Sequence, residues 1–148
     1  MDTRRCAQCS NEAAACSSCV QASFGALVET MRAPIRLPGD HVRFERRDLE
    51  GRLHDEFGHP SVTEFDAAGR LRFREHHEHG VPGDVGLAPA RLWFFADGRP
   101  HLAHRMFAGV LHDHIGDDGR LLPAVVEFGT RGRLIHHELW LNGVPRTD

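Results

Sequence analysis

Hydrophobic positions in the second half of the chain alternate with polar ones over short segments that are separated by turn residues. Residues 123–128 are short and β-branched, Gly-Thr-Arg-Gly follows as a turn, and residues 133–142 form a longer strand pattern. Residues 61–79 repeat this plan, and the turn Pro38-Gly39-Asp40 followed by residues 41–49 supplies a half unit. The pattern predicts a mainly β fold, an antiparallel meander of about seven strands.

The spacing of prolines and glycines shows that the strands belong to an internal repeat. Each of three prolines precedes a glycine by nine residues, and a second glycine follows eleven residues later. The three sets are Pro60, Gly69 and Gly80, then Pro89, Gly98 and Gly109, and finally Pro123, Gly132 and Gly143. The second glycines are 29 and then 34 residues apart, because the connection at 110–122 is five residues longer. We therefore expect hairpin repeats of about 29 residues, with the first glycine of each set at a hairpin turn with positive φ.

One N-terminal segment has the pattern of an amphipathic helix. Its apolar residues at i, i+4, i+7, i+8 and i+11 are Val20, Phe24, Leu27, Val28 and Met31. Ser17 or Ser18 can cap its start and Pro34 ends it, which gives a helix over about 18–32. Since a single sheet layer needs its apolar face covered, we expect this helix to pack on the sheet or on a partner.

All four cysteines precede that helix. Cys6, Cys9, Cys16 and Cys19 have the spacing C-x2-C-x6-C-x2-C. Two such pairs can place four thiolates around one ion in a tetrahedron at about 2.3 Å, which predicts a structural zinc site. An iron–sulfur cluster, redox-active thiols and ordinary cysteines are the alternatives. The chain thus divides into a zinc element with a helix at 1–32 and a β-repeat domain at 38–148.

Charge and composition exclude several classes of function. The net charge is −3 and the 18 basic residues, all arginine, are scattered along the chain, which is unlike the basic footprint of most nucleic-acid binders. The longest apolar run, Leu92 to Ala96, is too short to span a membrane, and the lack of an arginine cluster disfavours peripheral membrane binding. Residues 1–5 lead into no apolar stretch, so we expect no signal peptide and a reducing, cytoplasmic location.

Histidines are the remaining candidates for chemistry, with twelve in the chain. Glu75, His104 and Glu138 occupy equivalent positions, but equivalent strands lie about 9.5 Å apart, so these side chains cannot close on one ion unaided. We interpret the strand histidines, among them His76-His77 and His136-His137, as polar outer faces.

The irregular insertion at 110–122 offers a second candidate. His112, His114 and Asp117 lie within it, and a metal-dependent enzyme with a His/Asp site there is the alternative function, although Gly116-Asp117-Asp118-Gly119 is also an ordinary turn. The sequence contains no nucleophile motif and no phosphate-binding loop.

Three segments resemble variant MORN-type repeats: Gly-Arg-Leu-His-Asp-Glu-Phe-Gly-His-Pro-Ser (51–61), Pro-Ala-Arg-Leu-Trp-Phe-Phe-Ala-Asp-Gly (89–98) and Gly-Val-Leu-His-Asp (109–113). The cysteine pairs resemble the opening half of a MYND-type zinc finger, without its later ligands. The MORN resemblance implies an elongated twisted sheet used for contacts with proteins and sometimes lipids. We therefore expect a non-catalytic protein–protein interaction module whose unidentified partner contacts Trp93, Phe107 and Trp140, residue types common at hot spots.

Overall fold

The computed structural model describes residues 34–147, which form a mainly β structure with almost no helix. One turn of 3-10 helix, Pro38–Asp40, separates the first two strands. The strands are β1 (Ile35–Leu37), β2 (His41–Glu45), β3 (Val62–Phe65), β4 (Leu71–Glu75), β5 (His77–Glu78), β6 (Val81–Pro82), β7 (Arg91–Phe94), β8 (Pro100–His104), β9 (Met106–Phe107), β10 (Val110–Leu111), β11 (His114–Ile115), β12 (Leu121–Leu122), β13 (Val125–Phe128), β14 (Leu134–Leu141) and β15 (Val144–Arg146). Within this part of the chain no helix is long and apolar enough to cross a membrane.

Nine strands form one antiparallel sheet in the order β1-β2-β3-β4-β7-β8-β13-β14-β15. The meander is confirmed, and the seven expected strands are its central members, from β2 to β14. The expected number is low because β1 pairs with β2 at one edge and β15 with the end of β14 at the other. Glu75, Arg91, His104, Val125 and Glu138 lie opposite one another across successive strands. The Glu75–His104–Glu138 column therefore has an intervening strand between each pair, as the sequence predicted.

The turns at the outer end of the sheet are built as the sequence predicts. Gly69, Gly98 and Gly132 have φ of 79°, 89° and 78° and close the β3–β4, β7–β8 and β13–β14 hairpins. A left-handed conformation is needed there because the chain reverses within four residues, and glycine adopts it without a Cβ clash. The prediction that these glycines sit at hairpin turns with positive φ is confirmed.

At the opposite end of the sheet the chain forms a second set of small hairpins, which the sequence pattern does not distinguish from the strands. Turns at His79-Gly80, Ala108-Gly109 and Asn142-Gly143 have positive φ at both positions and connect β5–β6, β9–β10 and β14–β15. This geometry matches the twist of the flanking strands. The segment 70–79, predicted as one strand, is therefore β4 followed by the first strand of a small hairpin.

The five-residue insertion produces one further hairpin, β11–β12, with a turn at 116–119. At the corresponding places in the two earlier linkers, single bridges Glu56–His59 and Val85–Ala88 close tight turns. The insertion thus lengthens an existing hairpin and leaves the rest of the linker unchanged.

The core is thin, because one sheet layer buries few side chains. The buried apolar residues are Val62, Phe73, Ala90, Leu92, Ala103, Met106, Ala124 and Val125. Many large apolar side chains are exposed, including Leu134 and Ile135 on β14. The predicted covering helix over 18–32 and the four cysteines lie outside the described residues, so both remain predictions.

Candidate functional site

Three aspartates at intervals of 29 residues organise the linkers between the main hairpins. Asp55, Asp84 and Asp113 occupy equivalent positions. The Oδ1 atom of each accepts two backbone N–H groups at 2.8–3.0 Å, one from the residue after the linker proline and one from the following small hairpin. The donors are Ser61 and His77 for Asp55, Ala90 and Met106 for Asp84, and Ala124 and Trp140 for Asp113. Each carboxylate therefore joins two successive units through charge-assisted hydrogen bonds.

The second carboxylate oxygen distinguishes the three aspartates. Oδ2 of Asp55 lies 2.6 Å from Nδ1 of His76, and Oδ2 of Asp113 lies 2.5 Å from a guanidinium nitrogen of Arg146. Oδ2 of Asp84 is 3.7 Å from Arg105 and 3.9 Å from His114, both beyond hydrogen-bond distance. Arg105 occupies the position equivalent to His76, but its guanidinium donates to the carbonyl of Leu87 at 2.9 Å.

These differences change the acidity of the three carboxyl groups. Burial raises the pKa of Asp84, and its two backbone donors with the distant Arg105 and His114 offset this only in part, so the pKa is above its usual value. Burial acts in the same direction on Asp55 and Asp113. Their hydrogen bonds outweigh it, however, and the pKa of each lies below its usual value. Asp84 is the member of the set whose charge is least compensated.

Asp84 lines a groove of about 640 Å³ between the first two small hairpins, which we call the hairpin groove. Its carboxylates are Asp55, Glu78 and Asp84, and its histidines are His54, His77 and His79. Its apolar wall consists of Val81, Pro82, Val85, Met106 and Phe107. Phe107 is 66% exposed, so a large aromatic side chain faces solvent beside the acidic groups of the groove.

The small hairpins stack so that Val81, Val110 and Val144 form a row, the valine ridge. The ideal Cβ position of Gly109 lies 3.5 Å from Val81, and that of Gly143 lies 3.3 Å from Val110. The glycines therefore let each hairpin approach the preceding valine closely. All three valines remain exposed, at 40–63%, which makes the ridge an apolar surface continuous with the exposed Phe107.

Asp48, His54 and His79 form the one group among the described residues whose ligand atoms lie close enough together, within 4.8 Å, to hold a metal ion. Each member is already bonded. Oδ2 of Asp48 contacts Nε of Arg52 at 3.0 Å and Nδ1 of His79 at 2.9 Å, and these contacts hold the pKa of Asp48 well below its usual range.

The hydrogen bond that His54 accepts from a turn is also found at an equivalent turn that has no such cluster of potential metal ligands among the described residues. Its Nδ1 accepts the backbone N–H of His79 at 2.9 Å, and Nδ1 of the equivalent His112 accepts the N–H of Asn142 at 3.0 Å. A cation, Arg52, already contacts Asp48, and the two histidines cap equivalent turns. We interpret the cluster as a structural cap.

A serine, a histidine and a glutamate also come together inside the domain. Oγ of Ser61 lies 2.6 Å from Nδ1 of His77, whose Nε2 lies 3.3 Å from Glu75. Ser61 is completely buried, so no substrate can reach its hydroxyl. Burial also lowers the pKa of His77. The positions equivalent to Ser61 and His77 are occupied by Ala90 and Met106 in the next unit and by Ala124 and Trp140 in the last. We interpret the hydrogen bond between Ser61 and His77 as one that satisfies buried polar groups.

The structure does not bring the predicted residues of the insertion together as one site. Asp113 holds two backbone N–H groups and Arg146, while His112 caps the Asn142 turn. Asp117 is exposed in the β11–β12 turn, and in the described part of the chain His112, His114 and Asp117 form no ligand cluster.

The histidines differ from expectation at one pair, and the aromatic residues differ in exposure. His76 and His77 are buried, so their interpretation as polar outer faces is wrong, whereas His136 and His137 are exposed as expected. Of the three aromatic residues expected to meet a partner, Phe107 is exposed and Trp140 is half-buried. Trp93 is half-buried too, and it packs on Phe73 with ring centroids 4.9 Å apart.

The sequence contains a signal for the aspartate set besides the glycine and proline spacing. Asp55, Asp84 and Asp113 follow the same 29-residue interval as the glycines. A search for identical polar residues in the repeat would have found them, although their counter-ions would have remained unknown. The groove carries no such signal, because its walls come from two hairpins.

Comparisons of the chain with protein-family models, curated proteins and solved structures found no match.

Proposed function

We propose that this protein is a non-catalytic interaction module and that its partner protein binds in the hairpin groove. The observation that carries this proposal is the composition of the groove, in which exposed Phe107 and Val81 border three carboxylates. Exposed apolar surface rimmed by polar groups is typical of protein-binding sites. The MORN-type resemblance of residues 38–148 supports the same function, because such repeats imply sheets used for protein contact.

The valine ridge extends the apolar surface beyond the groove. Val110 and Val144 continue it along the small hairpins, with exposures of 40% and 63%. A partner segment lying in the groove would therefore meet further apolar side chains on one side. We expect the partner to be a protein, acting in the cytoplasm, and not a nucleic acid or a membrane.

Replacement of Phe107 by serine tests the proposal. Partner proteins captured from cell extract by the wild-type chain should be lost with Phe107→Ser. Leu134→Ser is the matched control, because Leu134 is 51% exposed on β14 and does not line the groove. The proposal requires capture that depends on Phe107 and not on Leu134; equal capture by both variants contradicts it.

The proposal includes a structural zinc ion bound by Cys6, Cys9, Cys16 and Cys19, supported by their spacing. We expect one zinc per chain by metal analysis of the whole protein, and loss of that zinc in Cys16→Ser. Ser17→Ala is the control and should retain the metal. Chelation should leave the β-sheet signal in circular dichroism intact, because the sheet is formed by residues 34–147. Zinc retained in Cys16→Ser would refute this site.

A further inference from the structure

The three equivalent aspartates provide an internal comparison that identifies what the middle one lacks. All three carboxylates are largely buried, with side-chain exposures of 13%, 10% and 4% for Asp55, Asp84 and Asp113. Two of them have a cationic or imidazole nitrogen within 2.6 Å of Oδ2. For Asp84 the nearest such atom among the described residues is 3.7 Å away. Burial of a carboxylate is destabilising unless its charge is paired. Asp84 can therefore gain an interaction with one more cationic partner.

The position of Asp84 makes an external partner possible. Asp84 lines the hairpin groove, whereas Asp113, which pairs with Arg146, does not. The wall of the groove near Asp84 includes Pro82, Val85 and Met106. A long side chain entering from solvent would cross this apolar wall before its head group reaches Oδ2.

We propose that Asp84 anchors an arginine side chain of the partner segment that binds in the hairpin groove. This inference rests on the proposed function and specifies the partner's chemistry at the same site. The guanidinium would approach Oδ2 of Asp84 as Arg146 approaches Oδ2 of Asp113. Its aliphatic stem would pack along the apolar wall, as arginine stems do on apolar surfaces.

Arg105 compensates the charge of Asp84 only from a distance. Arg105 is held by the carbonyl of Leu87 at 2.9 Å and remains 3.7 Å from Asp84. Movement of this side chain to Asp84 would sacrifice that hydrogen bond. An incoming arginine has no such bond to lose within the protein, and the exposed carboxylate of Glu78 at the groove adds attraction for a cation.

The test uses the tripeptide Ac-Val-Arg-Val-NH2 and its citrulline counterpart, which keeps the shape and removes the charge. Binding to the full chain is followed by NMR shifts of the Ala90 and Met106 amides, because both donate to Oδ1 of Asp84. We expect the arginine peptide to bind at least tenfold more tightly than the citrulline peptide. The carboxyl pKa of Asp84, measured by NMR titration, should fall in the complex.

Three variants sharpen this test. Asp84→Asn keeps an oxygen for the two backbone donors and should remove the tenfold preference. Asp117→Asn makes the same change in net charge at an exposed turn and should retain it. Arg105→Gln should bind the arginine peptide as tightly as the wild type or more tightly. A preference that persists in Asp84→Asn, or weaker binding by Arg105→Gln, would overturn the inference.

The outcomes separate this inference from the proposed function. If the two peptides bind the groove equally, or neither binds, while Phe107→Ser still releases the partner, the groove function stands and the role of Asp84 is wrong. If neither peptide shifts the groove amides and Phe107→Ser retains the partner, the proposed function itself is wrong.

Discussion

The linker around Asp84 and the linker around Asp113 have the same backbone arrangement, but the pKa values of the two aspartates are shifted in opposite directions. In both, Oδ1 accepts two backbone N–H groups from equivalent residues. Arg146 contacts Oδ2 of Asp113 at 2.5 Å, whereas the Arg105 nitrogen that donates to the carbonyl of Leu87 stays 3.7 Å from Oδ2 of Asp84. The pKa of Asp113 is consequently below its usual value and that of Asp84 is above it, although burial acts on both in the same direction.

This difference separates two roles that one residue type can have in a repeat. Both carboxylate oxygens of Asp113 have partners within the chain, so we expect this linker to contribute stability. Asp84 keeps the backbone role and lines the hairpin groove, where we propose that it binds a partner. Equivalent linkers can therefore keep the same backbone arrangement while their carboxylates differ in pairing.

The largest effect is expected from Asp113→Ala. This change leaves two backbone N–H groups without their acceptor and Arg146 without its carboxylate. Removing one partner of a buried charged network is strongly destabilising, and we expect a loss of about 3 kcal/mol in the free energy of unfolding. Urea denaturation measures it, with exposed Asp117→Ala as the control within about 0.5 kcal/mol of wild type. A loss below about 1 kcal/mol would show that the two linkers do not differ in the way described.

A smaller effect is expected where the small hairpins pack on each other. Gly143 has φ +80° and its Cβ position lies 3.3 Å from Val110, so Gly143→Ala combines backbone strain with a close contact on the valine ridge. We expect it to destabilise by about 2–3 kcal/mol, compared with about 1–2 kcal/mol for Gly98→Ala, which has φ +89° and open space. Thermal melts of both variants compare the β14–β15 turn at Gly143 directly with the β7–β8 turn at Gly98. Equal losses would mean that the ridge packing adds nothing.

The pH dependence of stability should have opposite sign for the two aspartates. The lowered pKa of Asp113 means that its contribution is present above the ordinary aspartate pKa of about 3.9 and is lost as pH falls through the folded value. The raised pKa of Asp84 means that the folded state favours its protonated form, so stability rises as pH falls through the folded value towards 3.9. Denaturation between about pH 3 and 7 should show Asp113→Asn approaching wild type in acid and Asp84→Asn losing any advantage there. Parallel curves for the two variants would contradict this assignment.

The smallest effect is expected from Asp84→Asn at neutral pH. The amide oxygen can accept the N–H groups of Ala90 and Met106, and a carboxylate charge that is only partly compensated is removed. We expect a change within about 1 kcal/mol of wild type, in the stabilising direction. Urea denaturation beside Asp113→Asn makes the comparison, and a loss as large as that of Asp113→Asn would mean that the carboxylate of Asp84 is paired within the chain.

The regular part of the fold could be predicted from the sequence because it depends on local constraints. Glycine at Gly69, Gly98 and Gly132 marks turns that require positive φ, and alternating side chains mark the strands between them. The antiparallel meander follows, since strands joined by short turns pair with their neighbours. The same reasoning placed Glu75, His104 and Glu138 in one row with intervening strands, which the observed pairing confirms.

Local reasoning failed where burial depends on a distant segment. The alternation along the strand correctly places the side chains of His76 and His77 on opposite faces. It does not show that His76 contacts Asp55 and that His77 contacts Ser61, both from the preceding linker. Strand patterns describe which way a side chain leaves the backbone. What it meets depends on how far the next layer of loops folds over the sheet.

The sequence by itself determined the 29-residue interval of the aspartates, the turns at Gly69, Gly98 and Gly132 and the antiparallel meander between them. Only the tertiary structure decided which of those aspartates is fully paired. Arg146 reaches Asp113 from 33 residues away, while Arg105, at the position where His76 serves Asp55, donates to a carbonyl instead. Hydrogen bonds within a turn follow from the residues that form it, whereas the pairing of a buried charge depends on which side chains the folded chain brings within about 3 Å.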